Sequence, residues 1–211
     1  MLRQAHPELR RGRPTLMRPR DGLHRLTRLR DRLSTRQPAP IDEGSLIWAA
    51  VAVVITPDPD SILLIRRADR VEDPWSGHMA LPGGRRDPAD SELLATAIRE
   101  AHEEVGVELA PQFLLGSLEE VVPRTPVLPP VAVRPFVFLM PSRPPALVLN
   151  REVAAASWVP LDDLLQPARY HSVLLQAAGG SRQVQAYQLE EGLVWGMTER
   201  IITSVLHLLR D

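Results

Sequence analysis

Three glutamates near the middle of this 211-residue chain, Glu100, Glu103 and Glu104, stand at spacing i, i+3 and i+4. On a helix, at about 100° per residue, they share an arc of roughly 100°. No Lys or Arg follows within four positions to pair with them. Like charges at this spacing destabilise a bare helix by about a few tenths of a kcal/mol each. A hard divalent cation resolves that repulsion. Carboxylate oxygens suit Mg²⁺ or Mn²⁺, which keep part of their water shell and also engage substrate phosphates. A solvated acidic helix face is the other reading of the same spacing.

The residues around the acids say how they are held. Gly83-Gly84, after Pro82, makes a turn where backbone can approach a ligand closely. Asp87-Pro88 then predicts a helix start, with Asp as N-cap and Pro at the first helical position; Asp90 is an alternative cap. Leu94, Ala97, Ile98, Ala101 and Val105 recur at helical spacing and predict a buried stripe, and Gly106 closes the helix at C′. No proline interrupts 89–110, although the chain carries 21. The glycine turn, the Asp-Pro start and the buried opposite face together favour a metal site over a bare acidic surface.

Further out, Leu46–Thr56 is continuously apolar, as a strand buried on both faces would be. Pro57-Asp58-Pro59-Asp60 reads as a turn and Ser61–Arg67 as a second strand, making a hairpin. Residues 112–120, 131–140 and 153–159 are further strands, with a proline-rich loop at 121–130. Leu161–Leu165 and Gly196–Leu209 are helical, the latter amphipathic. Strands mixed with helices, without regular βαβ alternation, predict an α/β fold with a mixed sheet. No internal repeat is present.

The charge divides the chain in two. All 25 basic residues are Arg, and the formal net charge is −1. Residues 1–36 hold 11 Arg against 3 acids, whereas the remainder holds 14 against 23. We therefore expect a basic arm over 1–37 and one domain over 38–211. Within the arm, Leu23, Leu26, Leu29 and Leu33 predict a short amphipathic helix at 22–35, with Arg25, Arg28, Arg32 and Arg36 on its polar face. Packing of those leucines on the domain is favoured over a role for the arginines in binding an anion or partner. Met17 is an alternative start. The acidic body disfavours a nucleic-acid binder held by bulk charge. Absence of Cys excludes disulfides, thiolate metal sites and a thiol nucleophile. No apolar run approaches the roughly 18 residues that span a membrane, and the N-terminus does not read as a secretory signal. Cytoplasmic residence is the default expectation.

The acidic segment resembles the Nudix box, G-x5-E-x7-R-E-U-x-E-E-x-G-U with U aliphatic. Its second half is matched in full by Arg99-Glu100-Ala101-His102-Glu103-Glu104-Val105-Gly106-Val107. In the first half, direct counting puts Ser91 at the first Glu and Arg85 at the Gly; one inserted residue restores Gly84 and makes Asp90 the acid. Leu63-Leu64-Ile65-Arg66-Arg67-Ala68, with Gly77 and Leu81-Pro82-Gly83-Gly84, is similar to the signature of the coenzyme A pyrophosphatase branch. Val194-Trp195-Gly196-Met197-Thr198 resembles that branch's closing W-G-x-T segment. Three departures stand out: Ile65 replaces a Thr, the spacing to Gly77 is one residue longer, and Glu72 or Asp73 stands where an Arg is expected.

The resemblance implies a Nudix-type α/β/α sandwich with a mixed β-sheet. It implies hydrolysis of a diphosphate linkage in a nucleoside diphosphate derivative by water attack on phosphorus, with coenzyme A or an acyl-coenzyme A as the favoured substrate. By the same resemblance, Glu100, Glu103 and Glu104 hold Mg²⁺ or Mn²⁺ with the Gly84 carbonyl, and Arg99 orients the glutamates. The base is left open between Glu100, Glu119 and Glu120, or no dedicated residue. Arg67, with Arg66, Arg85 and Gly83, would meet substrate phosphates. Trp75 and His78 are weaker candidates for stacking on a base, and Trp195 is expected to pack the last helix. The partner is a small-molecule nucleotide, and a homodimer is left open. Two alternatives remain: a nucleotide-sugar or damaged-nucleotide pyrophosphohydrolase, and a non-catalytic Nudix-like binding module.

Overall fold

The computed structural model describes residues 19–36, 47–69, 76–123, 130–177 and 180–210. The arm before Pro19 with Met17, the linker at 37–44, Glu72, Asp73 and Trp75 lie outside the described residues. The apolar run forms β1 (Ile47–Thr56), the central strand of a seven-stranded mixed sheet. Its residues alternate between two separate cores, as a strand buried on both faces must. β2 (Ser61–Arg67) pairs antiparallel with β1 only near the turn, at Ile55–Ile62 and Thr56–Ser61. Further along, β4 (Gly83–Arg85) takes its place beside β1, while β2 is flanked by β3 (Met79–Ala80) and β7 (Val153–Pro160). The other edge of β1 carries β6 (Val131–Leu139) in parallel over nine residue pairs, followed by the short β5 (Leu114–Ser117). The α/β class and the mixed sheet are as the sequence predicts.

One face of this sheet packs against α2 (Leu93–Val105), burying Leu93, Ala97, Ala101 and Val105 on Ala50, Ala52, Val54, Leu63 and Ile65. The other face carries α1 (Pro19–Ser34) and α4 (Gly196–Leu209). α1 buries Leu26, Leu29 and Leu33 in the same core as Ile202, Val205 and Leu206 of α4. Helix–sheet–helix layering is the predicted sandwich. α3 (Leu161–Leu165) follows β7 directly. No helix among the described residues is long and apolar enough to cross a membrane.

Three expectations need correction. Helix α2 begins at Leu93, not at Asp87-Pro88, because those residues form a turn in which the Asp90 amide donates to the Asp87 carbonyl at 2.9 Å. Arg25 is not on a solvated face: it is 5 % exposed and ion-paired with Asp60 and Asp162. The region 170–195 holds a three-stranded antiparallel sheet that sequence patterning missed, namely β8 (Tyr170–Ala177), β9 (Gly180–Gln188) and β10 (Leu193–Trp195).

Candidate active site

Helix α2 sets the site because its two faces do different work. The apolar stripe fixes the helix on the sheet; Arg99, Glu100 and Glu103 stand off that stripe, while Glu104 is buried beside it. Gly106 ends the helix in a left-handed conformation, φ 69°, and donates its amide to the His102 carbonyl at 2.9 Å.

Glu100 and Glu103 are not unpaired, since their cation precedes them in sequence. From one guanidinium, Arg99 Nη1 donates to Glu100 Oε1 at 2.9 Å and to Glu103 Oε2 at 3.1 Å. Its Nε and Nη2 donate to the Asp90 carboxylate, both at 3.0 Å, and Nη2 also reaches the Arg85 carbonyl at 3.2 Å. Asp90 further accepts from Thr96 Oγ1 at 2.8 Å and from the Asp87 amide at 2.9 Å. The Arg99 hydrogen bond, foremost, holds the Asp90 carboxyl well below its usual range against the opposing effect of burial. Asp90 is therefore spent on Arg99 and Thr96, which is why it does not cap the helix. The planar five-donor fork of Arg is what allows one side chain to span four acceptor groups.

Glu104 points inward and is 2 % exposed. Its Oε2 accepts the Gly83 amide at 2.9 Å. Burial pushes its carboxyl up to about 7, and the charges of Glu100 and Glu152 push the same way; the Gly83 bond and the charge of Arg67 oppose them. Burial also raises Glu100, assisted by Glu103 and Glu152 and opposed by Arg99. Gly84 lies against Glu100: a Cβ there would sit 2.3 Å from Glu100 Oε1. Only glycine permits this approach of carboxylate to backbone. Among the described residues no three acids or histidines close into a ready-made cation cage. The acids line one rim instead, with Glu103 half exposed at its outer end. All-oxygen donors, desolvated like charges and a glycine-cleared backbone fit a hard cation.

The sheet register sorts the remaining candidates. Ile65 belongs to the α2-side core and Leu64 to the opposite one, so by strand alternation Arg67 faces α2 and Arg66 faces away. Arg67 is also the cation whose charge reaches Glu104. Arg85 pairs with Ala49, on the side away from α2, and brings its carbonyl to Arg99. Gly84 pairs with Ala50 on the α2 side. Glu119 is bound by Arg36 at 2.8 Å, which lowers its pKa, and Glu120 is ion-paired with Arg134. The Arg67 amide donates to the His78 carbonyl at 3.0 Å, and the His78 ring stands edge-on to Trp195 at 4.8 Å. Trp195 thus meets the strand edge at β3 as well as leading into α4.

Glu152 is the acid that sequence reasoning missed. It precedes β7, and Val153 pairs with Arg67 across the β2–β7 register. Its carbonyl accepts the Ala68 amide at 2.8 Å, and its charge acts on both Glu100 and Glu104. A single acid ahead of a strand carries no local signal; only the long-range register brings it to the helix.

Comparison with known proteins places this geometry in context. The NUDIX domain family model matches residues 47–176. Proteins named uncharacterized Nudix hydrolase NudL, from Yersinia pestis (strain Pestoides F) and from Yersinia pseudotuberculosis serotype O:1b, are each 34% identical over 152 residues. Those alignments cover 72% of this chain and 73% of each relative. A MutT/nudix family protein from Enterococcus faecalis matches the fold with TM-score 0.54 at 17% identity, covering 81% of this chain and 64% of that one. A bifunctional NMN adenylyltransferase/ADP ribose pyrophosphatase from Francisella tularensis, complexed with AMP and Mn ion, matches with TM-score 0.52 at 16% identity, covering 90% of this chain and 48% of that one.

Proposed function

We propose that this chain, which belongs to the Nudix family of pyrophosphohydrolases, hydrolyses the diphosphate linkage of coenzyme A or an acyl-coenzyme A with the help of Mg²⁺ or Mn²⁺. Hydrolysis of a diphosphate in a nucleoside diphosphate derivative follows from the family. The observation that carries the metal-dependent reading is Glu104: a buried carboxyl, raised to about 7, facing the charges of Glu100 and Glu152. Such a group has use for a cation that neutralises it. Glu100, Glu103 and Glu104, with the Gly84 carbonyl, would hold the ion; when bound, it supplies the positive charge that a diphosphate shielded by its own oxyanions requires.

The chain's own groups complete the reaction. Arg67, facing α2 at the end of β2, binds the substrate phosphates. Arg99 orients Glu100 and Glu103 through Nη1 and is itself anchored on Asp90. We place the proton acceptor at the Glu152 carboxylate, whose charge acts on both Glu100 and Glu104, rather than at Glu119 or Glu120. Water oxygen bonds to phosphorus, the bridging P–O bond breaks, and the water proton passes to Glu152. Arg66, on the other face, and Arg85, which offers its carbonyl to Arg99, are left without a phosphate role.

Support for coenzyme A comes from the Leu63–Ala68 segment and the Leu81–Gly84 turn, which together put Arg67 and Gly84 on the α2 side of the sheet. The test is a panel of coenzyme A, acetyl-coenzyme A, ADP-ribose, a nucleotide sugar and a nucleoside triphosphate, with products identified by mass spectrometry. Coenzyme A or its thioester should give the highest kcat/KM, releasing adenosine 3′,5′-bisphosphate and the phosphopantetheine half. Preferred cleavage of ADP-ribose would remove the substrate assignment.

A further inference from the structure

The last turn of α2 and the segment that delivers Glu152 are joined by one side chain. Helix ends leave carbonyls without intrahelical partners. Here two of them are met by the incoming loop: the Val148 amide donates to the Val105 carbonyl at 3.0 Å, and the Asn150 amide to the Glu104 carbonyl at 3.2 Å. Asn150 then turns the chain. Its Oδ1 accepts the Glu152 amide at 2.8 Å, and its carbonyl accepts the Val153 amide at 3.3 Å. This is the local side chain-to-backbone bond for which Asn is suited. On the far side, the Glu152 carbonyl is held by the Ala68 amide at 2.8 Å, next to Arg67.

We infer that Asn150 is a positioning residue, fixing the Glu152 carboxylate relative to Glu104 by bonding the backbone of one and the amide of the other. The inference rests on the role proposed above for Glu152 and extends it. Glu152 has no place on α2, so its distance from Glu100 and Glu104 is set by the loop that carries it. Asn150 is the point where that loop touches the helix at Glu104 itself. An alanine keeps the Asn150 amide bond to Glu104 but releases the Glu152 amide. A serine restores a short, uncharged acceptor of the same local type.

The test is a double-variant cycle with coenzyme A and Mg²⁺, or with ADP-ribose if that is the compound turned over. Glu152→Gln should lower kcat by about a hundredfold. Asn150→Ala should lower kcat by about tenfold with KM within about twofold, and Asn150→Ser should recover most of the loss. In the Glu152→Gln background, Asn150→Ala should add less than about twofold, because the group it positions is already disabled. Full multiplication of the two losses, or a folded Asn150→Ala protein with undiminished kcat, overturns the inference. An undiminished kcat in Glu152→Gln instead removes the role of Glu152, and the inference with it. A readout independent of the variants' folding is amide exchange in the metal-free native protein. The Glu152 amide should be protected, and exchange at the rate of an open peptide contradicts the bond.

Discussion

Replacing Glu104 by Gln should stabilise the metal-free protein while abolishing its chemistry. The Glu104 carboxyl moves from 4.5 to about 7 on folding and is 2 % exposed, so solvent does little to screen the effect. At 1.36 kcal/mol per tenfold, ionising it in place costs about 3 kcal/mol relative to the unfolded chain. The sign follows from the raised value: the folded state binds the proton more tightly. Stability is complete below about pH 4.5, falls as the pH rises through about 7, and levels off above that. Gln is neutral throughout and keeps an oxygen for the Gly83 amide. The two proteins should therefore be close at about pH 5, and Glu104→Gln should be ahead by about 3 kcal/mol at about pH 8. For a chain of this length that is about 6–12 °C in Tm. Thermal unfolding by circular dichroism in EDTA, across that pH range, reads it directly. Adding Mg²⁺ at the upper pH should lift the wild type and close most of the gap, since binding to the folded state alone adds stability. Parallel curves for the two proteins at all pH values would refute the description of Glu104 as a desolvated carboxyl awaiting a cation.

Other perturbations probe the supports of the site. In Gly84→Ala, the new Cβ meets Glu100 Oε1 at 2.3 Å and must displace that carboxylate; kcat should fall by about tenfold or more, measured at saturating substrate. Arg99→Lys cannot span Asp90, Glu100 and Glu103, so it should lower turnover and cost about 1–2 kcal/mol in urea unfolding. Because the Asp90 pKa is lowered in the fold, the stability it contributes is present above about pH 4, and the Arg99→Lys deficit should shrink on acidification below that. Leu29→Ala, at a fully buried position of α1, should cost about 2–5 kcal/mol in denaturant unfolding, whereas removing residues 1–18 should leave turnover nearly unchanged.

What could be read from the chain depended on whether the signal was local. The double-sided burial of β1 shows as an unbroken apolar run, and the bounds of α3 and α4 match their patterns to the residue. The acid spacing on α2 was equally plain. The start of α2 was misplaced because Asp90, a good cap by type, is held by Arg99 nine residues later. Arg25 looked like part of a solvated face because Asp60 and Asp162 lie 35 and 137 residues away. The hairpin of β8 and β9 was missed for a different reason. In its outer half one face (Ser172, Leu174, Gln183, Gln185) is exposed and the other (Val173, Leu175, Val184) only half-buried, so apolar residues fall on both faces and no clean inside-out alternation marks the strands. Glu152 and the separation of Arg67 from Arg66 depend on register between β2 and β7, which no single segment encodes.

We propose that the acids of α2 serve a divalent cation in diphosphate hydrolysis. The most direct measurement is product formation from coenzyme A with Mn²⁺ or Mg²⁺ supplied and with both chelated, in the wild type and in Glu103→Gln. Glu103 is half exposed, so its substitution disturbs the fold least. Turnover should require the metal and fall by about a hundredfold or more in the variant. Undiminished hydrolysis in EDTA, or equal turnover in wild type and variant, would contradict the proposal.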